Sequence, residues 1–316
     1  MRLLIPIAAL ALALAAPAQA SEPKLTVSKR ALNAALHCTP GVDHATRTPI
    51  MIVTGTGASG AEAYAIGKPA FDAFGAPVCY VDFPHFTTAD MQVSVQYLVN
   101  GLRVMSRRAG RQVAVVGISQ GGLLPRIALT YWPSLRAKVS DVIAAAGTQH
   151  GTTIGKGACP GTVGCLPAQW QQLAGSRFLR ALNAHRDETP GPTAWTTVRS
   201  ATDEVVQPQT GPHPTSALKG ATNVLIQDLC PGREVTHIGT ALDSVSWALF
   251  ADAITHPGPA NVSRLPSDVC SHPYGLGLDE AATTNLLQAA GSLTSGRFAS
   301  QPKVGREPKL RAWVKK

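Results

Sequence analysis

Residues 112–122 read QVAVVGISQGG, and this stretch decides which fold the sequence favours. The apolar run at residues 112–118 is typical of a buried strand, and the pattern at residues 121–131 is typical of a helix. Between them, Gly117, Ser119 and Gly121 match the Gly-x-Ser-x-Gly pattern of a nucleophile elbow, a sharp strand-to-helix turn that holds a serine at its apex. The alternative is an ordinary glycine-rich turn, because the short pattern alone has low specificity.

Short apolar runs alternate with helical patterns along the rest of the chain. Strands are predicted at residues 49–53, 78–83, 112–118, 139–145, 195–199 and 223–227. Helices are predicted at residues 89–108, 121–131 and 278–293. This alternation predicts an α/β fold with a mostly parallel central sheet flanked by helices on both faces.

Two segments carry more specific expectations. Residues 150–167 are rich in Gly, Thr and Cys and have neither a helical nor a strand period, which predicts a loop that forms a rim or lid over the strand ends. The helix at residues 278–293 is expected to be amphipathic. Its apolar face would consist of Ala282, Leu286, Ala289, Ala290 and Leu293.

The first twenty residues have the pattern of a secretory signal peptide. A positive start at Arg2 is followed by a short apolar run up to Ala16 and by Ala18-Gln19-Ala20. The run is too short for a comfortable membrane span, and an uncleaved anchor or a buried helix is the alternative interpretation. We therefore expect a secreted protein in which residues 21–316 form one domain with a core at about 38–293.

The chain carries a formal net charge of +9, much of it in a C-terminal tail at about 300–316. A basic tail can contact anionic surfaces or nucleic acid, but it is more often a solvated and poorly ordered end, which is the expectation here. The sequence lacks zinc-ligand spacing and an aromatic RNA-binding platform, so no nucleic-acid partner is expected. We expect a monomer without a transmembrane segment, a metal ion or an organic cofactor.

Six cysteines follow the predicted signal peptide, and an even number in this setting favours disulfides. They are Cys38, Cys79, Cys159, Cys165, Cys230 and Cys270. Zinc ligation is the competing interpretation, but the sequence contains no Cys-x-x-Cys pair. Cys159 and Cys165 flank a turn-rich segment that a local bridge could close.

The serine at the elbow needs a base, because a hydroxyl is a weak nucleophile near neutral pH. Where such an elbow is catalytic, the order along the chain is serine, acid, histidine. His237 is the favoured base because it comes soonest after the last predicted strand, whereas His256 and His272 lie further on in turn-like segments. The alternative for His237 is a surface-loop histidine without a catalytic role.

The favoured acid is Asp203, which follows the strand predicted at residues 195–199 and could orient the imidazole. Glu204 and Asp228 compete for this role, and an aspartate in a loop is more often a turn former.

Two backbone N–H groups are expected to bind the negative charge that develops on the substrate oxygen. Gln120 supplies one because it follows the nucleophile. The loop at residues 54–57, which reads TGTG after an early strand, is placed to supply the other through Thr56, which also has a hydroxyl group. The alternative is a simple glycine turn, and nucleotide binding is disfavoured because the phosphate-loop lysine is absent.

Taken together, these motifs resemble the lipase B family of α/β-hydrolases from about residue 38 to about residue 293. The most specific segments are GTG at residues 55–57, SQGGL at 119–123, YWPSLR with KV at 131–139, and SATDEVVQPQ at 200–209. The resemblance implies an α/β-hydrolase fold and selects Asp203 and His237 over their competitors. It also implies oxyanion donors at Thr56 and Gln120.

The resemblance carries further implications for disulfides and substrate binding. It implies disulfides from Cys38 to Cys79 and from Cys230 to Cys270, which leaves Cys159 and Cys165 to pair with each other. It places Gln172, Val205 and Val206 in the acyl pocket, although packing is an alternative role for all three. Ile118 stands where a bulky tryptophan is found in the family, so we expect looser discrimination of the size and hand of the alcohol.

The expected function is that of a secreted lipase or carboxylesterase that forms an acyl-enzyme on Ser119. Its substrate would be an acylglycerol or another carboxylic ester, taken up at a lipid–water interface. The first alternative is an esterase of soluble esters, or an acyltransferase, without lipase activity. A second and weaker alternative is a secreted binding protein with a decayed site.

Overall fold

The computed structural model describes residues 22–157, 159 and 164–315, so the predicted signal peptide at residues 1–20 lies outside the described residues. Seven strands form one sheet in the order β1-β3-β2-β4-β5-β6-β7, and every neighbouring pair is parallel except β1 with β3. The strands are β1 Leu36–Cys38, β2 Ile50–Val53, β3 Val78–Val81, β4 Val113–Ile118, β5 Val139–Ala145, β6 Ala194–Arg199 and β7 Thr222–Leu225.

Nine helices are found in the described part of the chain, besides five short 3₁₀ turns. They are α1 Lys29–Ala34, α2 Gly60–Phe74, α3 Met91–Ala109, α4 Gln120–Tyr131, α5 Pro167–Gln172, α6 Arg177–Asn183, α7 Ile226–Leu229, α8 Ser244–Thr255 and α9 Glu280–Ser300. The mostly parallel sheet with helices on both faces confirms the predicted α/β-hydrolase fold class.

Alternation along the strands divides the core between the two faces of the sheet. In β4, Val115 belongs to a cluster with residues of α3 and α4, whereas Val116 belongs to a second cluster with residues of α2 and α8. In β2, Met51 belongs to the first cluster and Ile52 to the second. Since β2, β4, β5, β6 and β7 are parallel, their carboxyl ends meet at one edge, where ligands of such sheets bind.

The structure corrects the predicted ends of two strands and contains strands and helices that the sequence analysis did not predict. Residues 226 and 227 were expected in the last strand but form the first turn of α7. Residues 82 and 83 lie beyond the end of β3. The antiparallel strand β1 and the helices α2 and α8 were not predicted, because their short or small-residue segments lack a clear period.

The apolar face predicted for the last helix is wrong. Ala282 and Ala289 are exposed, and Leu293 is 50% exposed. The helix α9 instead turns Thr294 and Phe298 towards a cavity at the sheet edge. Its inner side is therefore a cavity wall rather than a core face, and a cavity wall does not require the continuous apolar stripe of a core helix.

The expectation of a solvated basic tail is also wrong. The ring of Trp313 lies 4.8 Å from the ring of Tyr131 and 5.0 Å from that of Trp132. Val314 is 2% exposed, and Leu310 packs against the same cluster. These apolar side chains among the basic residues bind the tail to the body of the protein by burying apolar surface.

Three disulfides join described cysteines. Cys38 pairs with Cys79, Cys159 with Cys165, and Cys230 with Cys270. The first links the edge strand β1 to β3, and the third links the end of α7 to a 3₁₀ turn after α8. Each such bridge typically stabilises a fold by about 2–4 kcal/mol. Within residues 22–157, 159 and 164–315, no helix is long and apolar enough to span a bilayer.

Candidate active site

Ser119 stands at the sharp turn between β4 and α4. Its backbone has φ 57° and ψ −124°, a conformation that costs energy for a residue with a side chain. Its N–H donates to the carbonyl of Ala145 at 2.9 Å, which ties the turn to the end of β5. A side chain at Gly117 would overlap the backbone of Gly121, and one at Gly121 would overlap that of Val53. The small residues of the Gly-x-Ser-x-Gly pattern are therefore a steric requirement of this turn.

The imidazole of His237 is held by the carboxylate of Asp203. The His237 Nδ1 atom lies 2.8 Å from Asp203 Oδ2, and both residues are buried. The other carboxylate oxygen, Oδ1, accepts the backbone N–H groups of Val205 and Val206, each at 2.8 Å. These bonds fix the carboxylate, and the carboxylate fixes the ring, so that Nε2 is the nitrogen free to accept a proton.

Glu204, the neighbouring candidate for the acid, does not occupy the position of Asp203 beside the imidazole. Its Oε2 atom accepts the backbone N–H of His237 at 2.9 Å, so it supports the loop and does not contact the ring nitrogen Nδ1. Asp228 is exposed on α7. The histidines that competed with His237 are half exposed or more and lie near other acids. His256 Nδ1 lies 3.2 Å from an oxygen of Asp252, and His272 is placed similarly beside Asp268.

Ser119 and His237 line one cavity at the carboxyl edge of the sheet. These two described side chains form no direct hydrogen bond with each other in this state. In catalytic sites without substrate, the bond between nucleophile and base is often long or poorly aligned and tightens when substrate binds. Two observations favour Ser119 and His237 as a nucleophile and its base: both line the same cavity, and the contact with Asp203 fixes the ring of His237.

The two residues expected to bind the oxyanion are joined by a buried polar network. Thr56 Oγ1 donates to Gln120 Oε1 at 2.7 Å. Gln172 Nε2 donates to Thr56 Oγ1 at 3.0 Å and to Gln120 Oε1 at 3.2 Å. The hydroxyl of Thr148 donates to Gln172 Oε1 at 3.0 Å. The backbone N–H of Gln120 opens α4, where the first N–H groups have no partner within the helix.

This network changes the role of Gln172. The family resemblance implies that Gln172 belongs to the acyl pocket. In the structure Gln172 lines the cavity, and its amide also connects Thr56 to Gln120. Sequence reasoning did not find Thr148, because a threonine after a strand carries no distinctive signal. Ile118 and Val205 line the cavity, and Val206 also lies in the lining although its side chain is fully buried.

A second feature absent from the sequence prediction is a clamp that joins α9 to α2 and to the loop that carries Thr56. The guanidinium of Arg297 donates to both carboxylate oxygens of Glu62, at 2.7 Å and 2.5 Å, and to the carbonyl of Gly57 at 2.9 Å. It also lies 4.0 Å from the ring centroid of Phe86. The hydrogen bond from Arg297, with smaller effects from Ser59, lowers the pKa of Glu62 to about 2.

The cavity has a volume of about 560 Å³, within the usual range for small-molecule sites. Its lining is mostly apolar, with polar groups concentrated around Ser119, Thr56 and His237. In the part of the chain that the structure describes, no three His, Cys, Asp or Glu side chains cluster closely enough to hold a metal ion. The described residues can supply a nucleophile and a base from side chains and an anion pocket from backbone N–H groups, which is the equipment for acyl transfer.

Comparison with known proteins supports this interpretation. The chain is 30% identical over 310 residues to lipase B from Pseudozyma antarctica, which covers 93% of this chain and 87% of that protein. No family model matches the chain.

Solved structures are also similar to this one, and two of them illustrate the range. The crystal structure of Aspergillus fumigatus lipase B has a TM-score of 0.84 and 30% identity, with 93% of this chain and 73% of that chain covered. A Bacillus licheniformis lipase in its propeptide form has a TM-score of 0.55 at 17% identity, with 72% and 54% covered. The latter similarity concerns the fold alone.

Proposed function

Because the chain belongs to the lipase B family, whose members are carboxylic ester hydrolases, we propose that it cleaves esters through an acyl-enzyme on Ser119. The observation that carries this proposal is the 2.8 Å contact between His237 Nδ1 and Asp203 Oδ2, beside a serine held in a strained turn of the same cavity. A base of this kind needs a carboxylate that orients the imidazole, and two backbone N–H groups hold the Asp203 carboxylate in place.

In the first step, Ser119 Oγ attacks the carbonyl carbon of the ester while His237 Nε2 takes the hydroxyl proton. The positive charge that forms on the ring is stabilised by Asp203, which remains ionised. His237 then gives the proton to the alcohol oxygen as the bond between that oxygen and the acyl carbon breaks. The alcohol leaves, and the acyl group stays on Ser119.

Negative charge on the carbonyl oxygen peaks in the tetrahedral intermediate. We assign its binding to the backbone N–H groups of Thr56 and Gln120. The Thr56 hydroxyl becomes a further donor when it turns from Gln120 Oε1 to the oxyanion. Each such donor typically lowers the barrier by about 3–4 kcal/mol. The amide of Gln172 supports the assignment because it holds both residues in position before substrate arrives.

In the second step, water replaces the alcohol. His237 removes a proton from water, the oxygen attacks the acyl carbon, and Ser119 leaves with a proton returned by His237. The carboxylic acid is released and the site is restored. In the acyltransferase alternative, an alcohol would take the place of water and the reaction would otherwise follow the same steps.

Labelling with a fluorophosphonate tests the assignment of the nucleophile. Wild type should gain the mass of one phosphonyl group at Ser119, and Ser119→Ala should not be labelled. Ser292→Ala, which changes an exposed serine on α9, serves as the control and should be labelled like wild type. Equal labelling of Ser119→Ala, or no labelling of folded wild type, would exclude the proposed mechanism.

We propose that lipid esters are among the substrates. Ile154 and Val205 line the cavity and remain 48% and 41% exposed, and Leu293 is 50% exposed beside the lining residue Thr294. Exposed apolar groups of this kind around a cavity suit contact with a lipid–water interface. Hydrolysis of emulsified long-chain triglyceride should exceed that of short soluble esters below their solubility limit. Activity confined to soluble esters would support the esterase alternative.

We also propose that the protein is secreted as a monomer with a single domain at residues 21–316. Three disulfides support an oxidising compartment. The N-terminal sequence of protein collected from culture medium should begin at residue 21. A protein retained in the cell with residue 1 intact would contradict this proposal.

A further inference from the structure

Three consecutive residues in the segment after β3 have a left-handed backbone. The φ angles of His85, Phe86 and Thr87 are 54°, 54° and 63°, although none of the three is a glycine. This conformation is unfavourable for a residue with a side chain, and most of all for a β-branched residue such as Thr87. Strain of this kind persists only where surrounding contacts hold it, and it is concentrated at functional sites. We call residues 85–87 the left-handed turn.

The left-handed turn is bonded to the loop that carries Thr56. The carbonyl of Phe86 accepts the backbone N–H of Gly57 at 2.8 Å. The hydroxyl of Thr87 donates to the carbonyl of Ala58 at 3.0 Å, and Thr87 is fully buried. Since Gly57 and Ala58 directly follow Thr56, the turn fixes the chain just after the residue that we assign to oxyanion binding.

Other contacts hold the left-handed turn itself. The guanidinium of Arg297 on α9 lies 4.0 Å from the ring centroid of Phe86. The carbonyl of His85 accepts the backbone N–H of Thr88 at 3.1 Å and the Thr88 hydroxyl at 2.7 Å. The carbonyl of Thr88 in turn accepts the N–H of Ala168, which belongs to α5. The turn is therefore a fixed support and not a free surface loop.

The backbone of Thr56 needs such a support. The hydrogen bonds of Thr56 with Gln120 and Gln172 are all made by its hydroxyl, so they fix its side chain but not its N–H group. A donor stabilises an oxyanion only if it already points at the place where the charge develops. Because peptide groups are planar, holding the N–H of Gly57 fixes the orientation of the peptide group that follows Thr56.

We propose that Thr87 is a positioning residue for catalysis, whose hydrogen bond to Ala58 aims the N–H of Thr56 at the substrate oxygen. This inference rests on the proposed function and deepens its account of oxyanion binding. Thr87 does not line the cavity, so it acts only through the loop that contains Ala58. Its effect should fall on the transition state, in which the oxygen is charged, and not on binding of the uncharged ester.

The variant Thr87→Val tests the proposal because it keeps the shape of the side chain and removes only the hydroxyl. Its kcat for p-nitrophenyl butyrate should fall about tenfold or more with KM little changed, a smaller loss than the 10²–10³-fold that removal of an oxyanion donor typically causes. The conservative variant Thr87→Ser keeps the hydroxyl and should have a kcat near that of wild type.

The matched control is Thr88→Val, which removes a buried hydroxyl from the next residue. The N–H of Thr88 donates to the same His85 carbonyl as its hydroxyl, so the turn stays closed in this variant. Each valine variant loses one buried hydrogen bond and should lose a similar free energy of unfolding in urea. Only Thr87→Val should lose kcat.

An alkyl trifluoromethyl ketone supplies a readout that a general loss of stability does not move. It adds to a serine hydroxyl and places a charged oxygen in the oxyanion position, so its affinity reports binding of the transition state. The inhibition constant should rise in Thr87→Val by about the factor by which kcat falls. It should stay unchanged in Thr88→Val.

A second pair, Thr87→Ser and Thr87→Ala, differs by the same hydroxyl on a smaller side chain and decides the question if Thr87→Val does not fold. The alanine variant should have the lower kcat and the weaker inhibition. Equal kcat in this pair, equal kcat losses in Thr87→Val and Thr88→Val, or an effect confined to KM would overturn the role of Thr87 while leaving the hydrolase intact. Failure of wild type to hydrolyse any ester, with no labelling of Ser119, would overturn the proposed function itself.

Discussion

Breaking the clamp between Arg297 and Glu62 should destabilise the protein in a pH-dependent way. The pKa of Glu62 falls from 4.5 to about 2 in the folded protein, and at 1.36 kcal/mol per pH unit this sets an upper bound of about 3 kcal/mol. Part of that effect comes from Ser59, whose N–H and hydroxyl also donate to the carboxylate. One third of the Glu62 side chain remains exposed, so water screens the pair, and we expect about 1–2 kcal/mol from the clamp.

The sign of the pH dependence follows from the direction of the pKa change. A carboxyl group with a lowered pKa in the folded state stabilises the protein fully above its unfolded value of 4.5. The stabilisation is lost as the pH falls from about 4.5 towards 2. The difference in the free energy of unfolding between wild type and Glu62→Gln should therefore shrink as the pH falls through this window.

A double-mutant cycle measures the clamp directly. The free energy of unfolding in urea is compared for wild type, Glu62→Gln, Arg297→Gln and the double variant at pH 7. The exposed pair Lys68 and Asp72, four residues apart on α2, serves as a control cycle with a smaller coupling. A coupling between Glu62 and Arg297 no larger than that of the control pair, or one that grows as the pH falls, would refute the reasoning.

Three other substitutions have defined consequences. Asp203→Asn should lower kcat about 10⁴-fold in ester hydrolysis with little change in folding, because the amide lacks the negative charge that stabilises the imidazolium and favours the wrong tautomer of the ring; activity near that of wild type would contradict this. Thr56→Val removes a hydroxyl donor and should lower kcat about 10²–10³-fold with KM little changed, and an effect confined to KM would exclude a role in the transition state. Trp313→Ala should lower the free energy of unfolding in urea by about 2 kcal/mol, roughly half the cost at a fully buried site, whereas no change would show that the tail is dispensable.

The part of the fold that the sequence predicts best is the segment through β4 and α4. An apolar run, two glycines around a serine and a helical period all lie within twenty residues, so local chemistry determines the turn. Local patterns alone do not single out Asp203 and His237, because other carboxylates and histidines lie in similar loops. Their selection depended on the resemblance of the segment at residues 200–209 to a known family.

Two contacts between distant parts of the chain were not predictable from the sequence. Arg297 and Glu62 are 235 residues apart, and neither position has a local pattern that distinguishes it from a solvated charge. The same holds for Trp313, whose basic neighbours suggested a free tail. The helix α9 was found, but its inner face was not, because a helix that closes a cavity need not show the period of one that packs on a core.

The most direct test of the central claim is a crystal structure of the protein after reaction with a phosphonate ester. The tetrahedral phosphorus and its charged oxygen stand in for the acyl carbon and oxyanion of the intermediate. We expect phosphorus bonded to Ser119 Oγ and its oxygen within about 2.7–3.1 Å of the backbone nitrogens of Thr56 and Gln120. His237 Nε2 should lie within hydrogen-bonding distance of the group in the alcohol position. Phosphorus on another residue, or its oxygen turned away from those two nitrogens, would contradict the account.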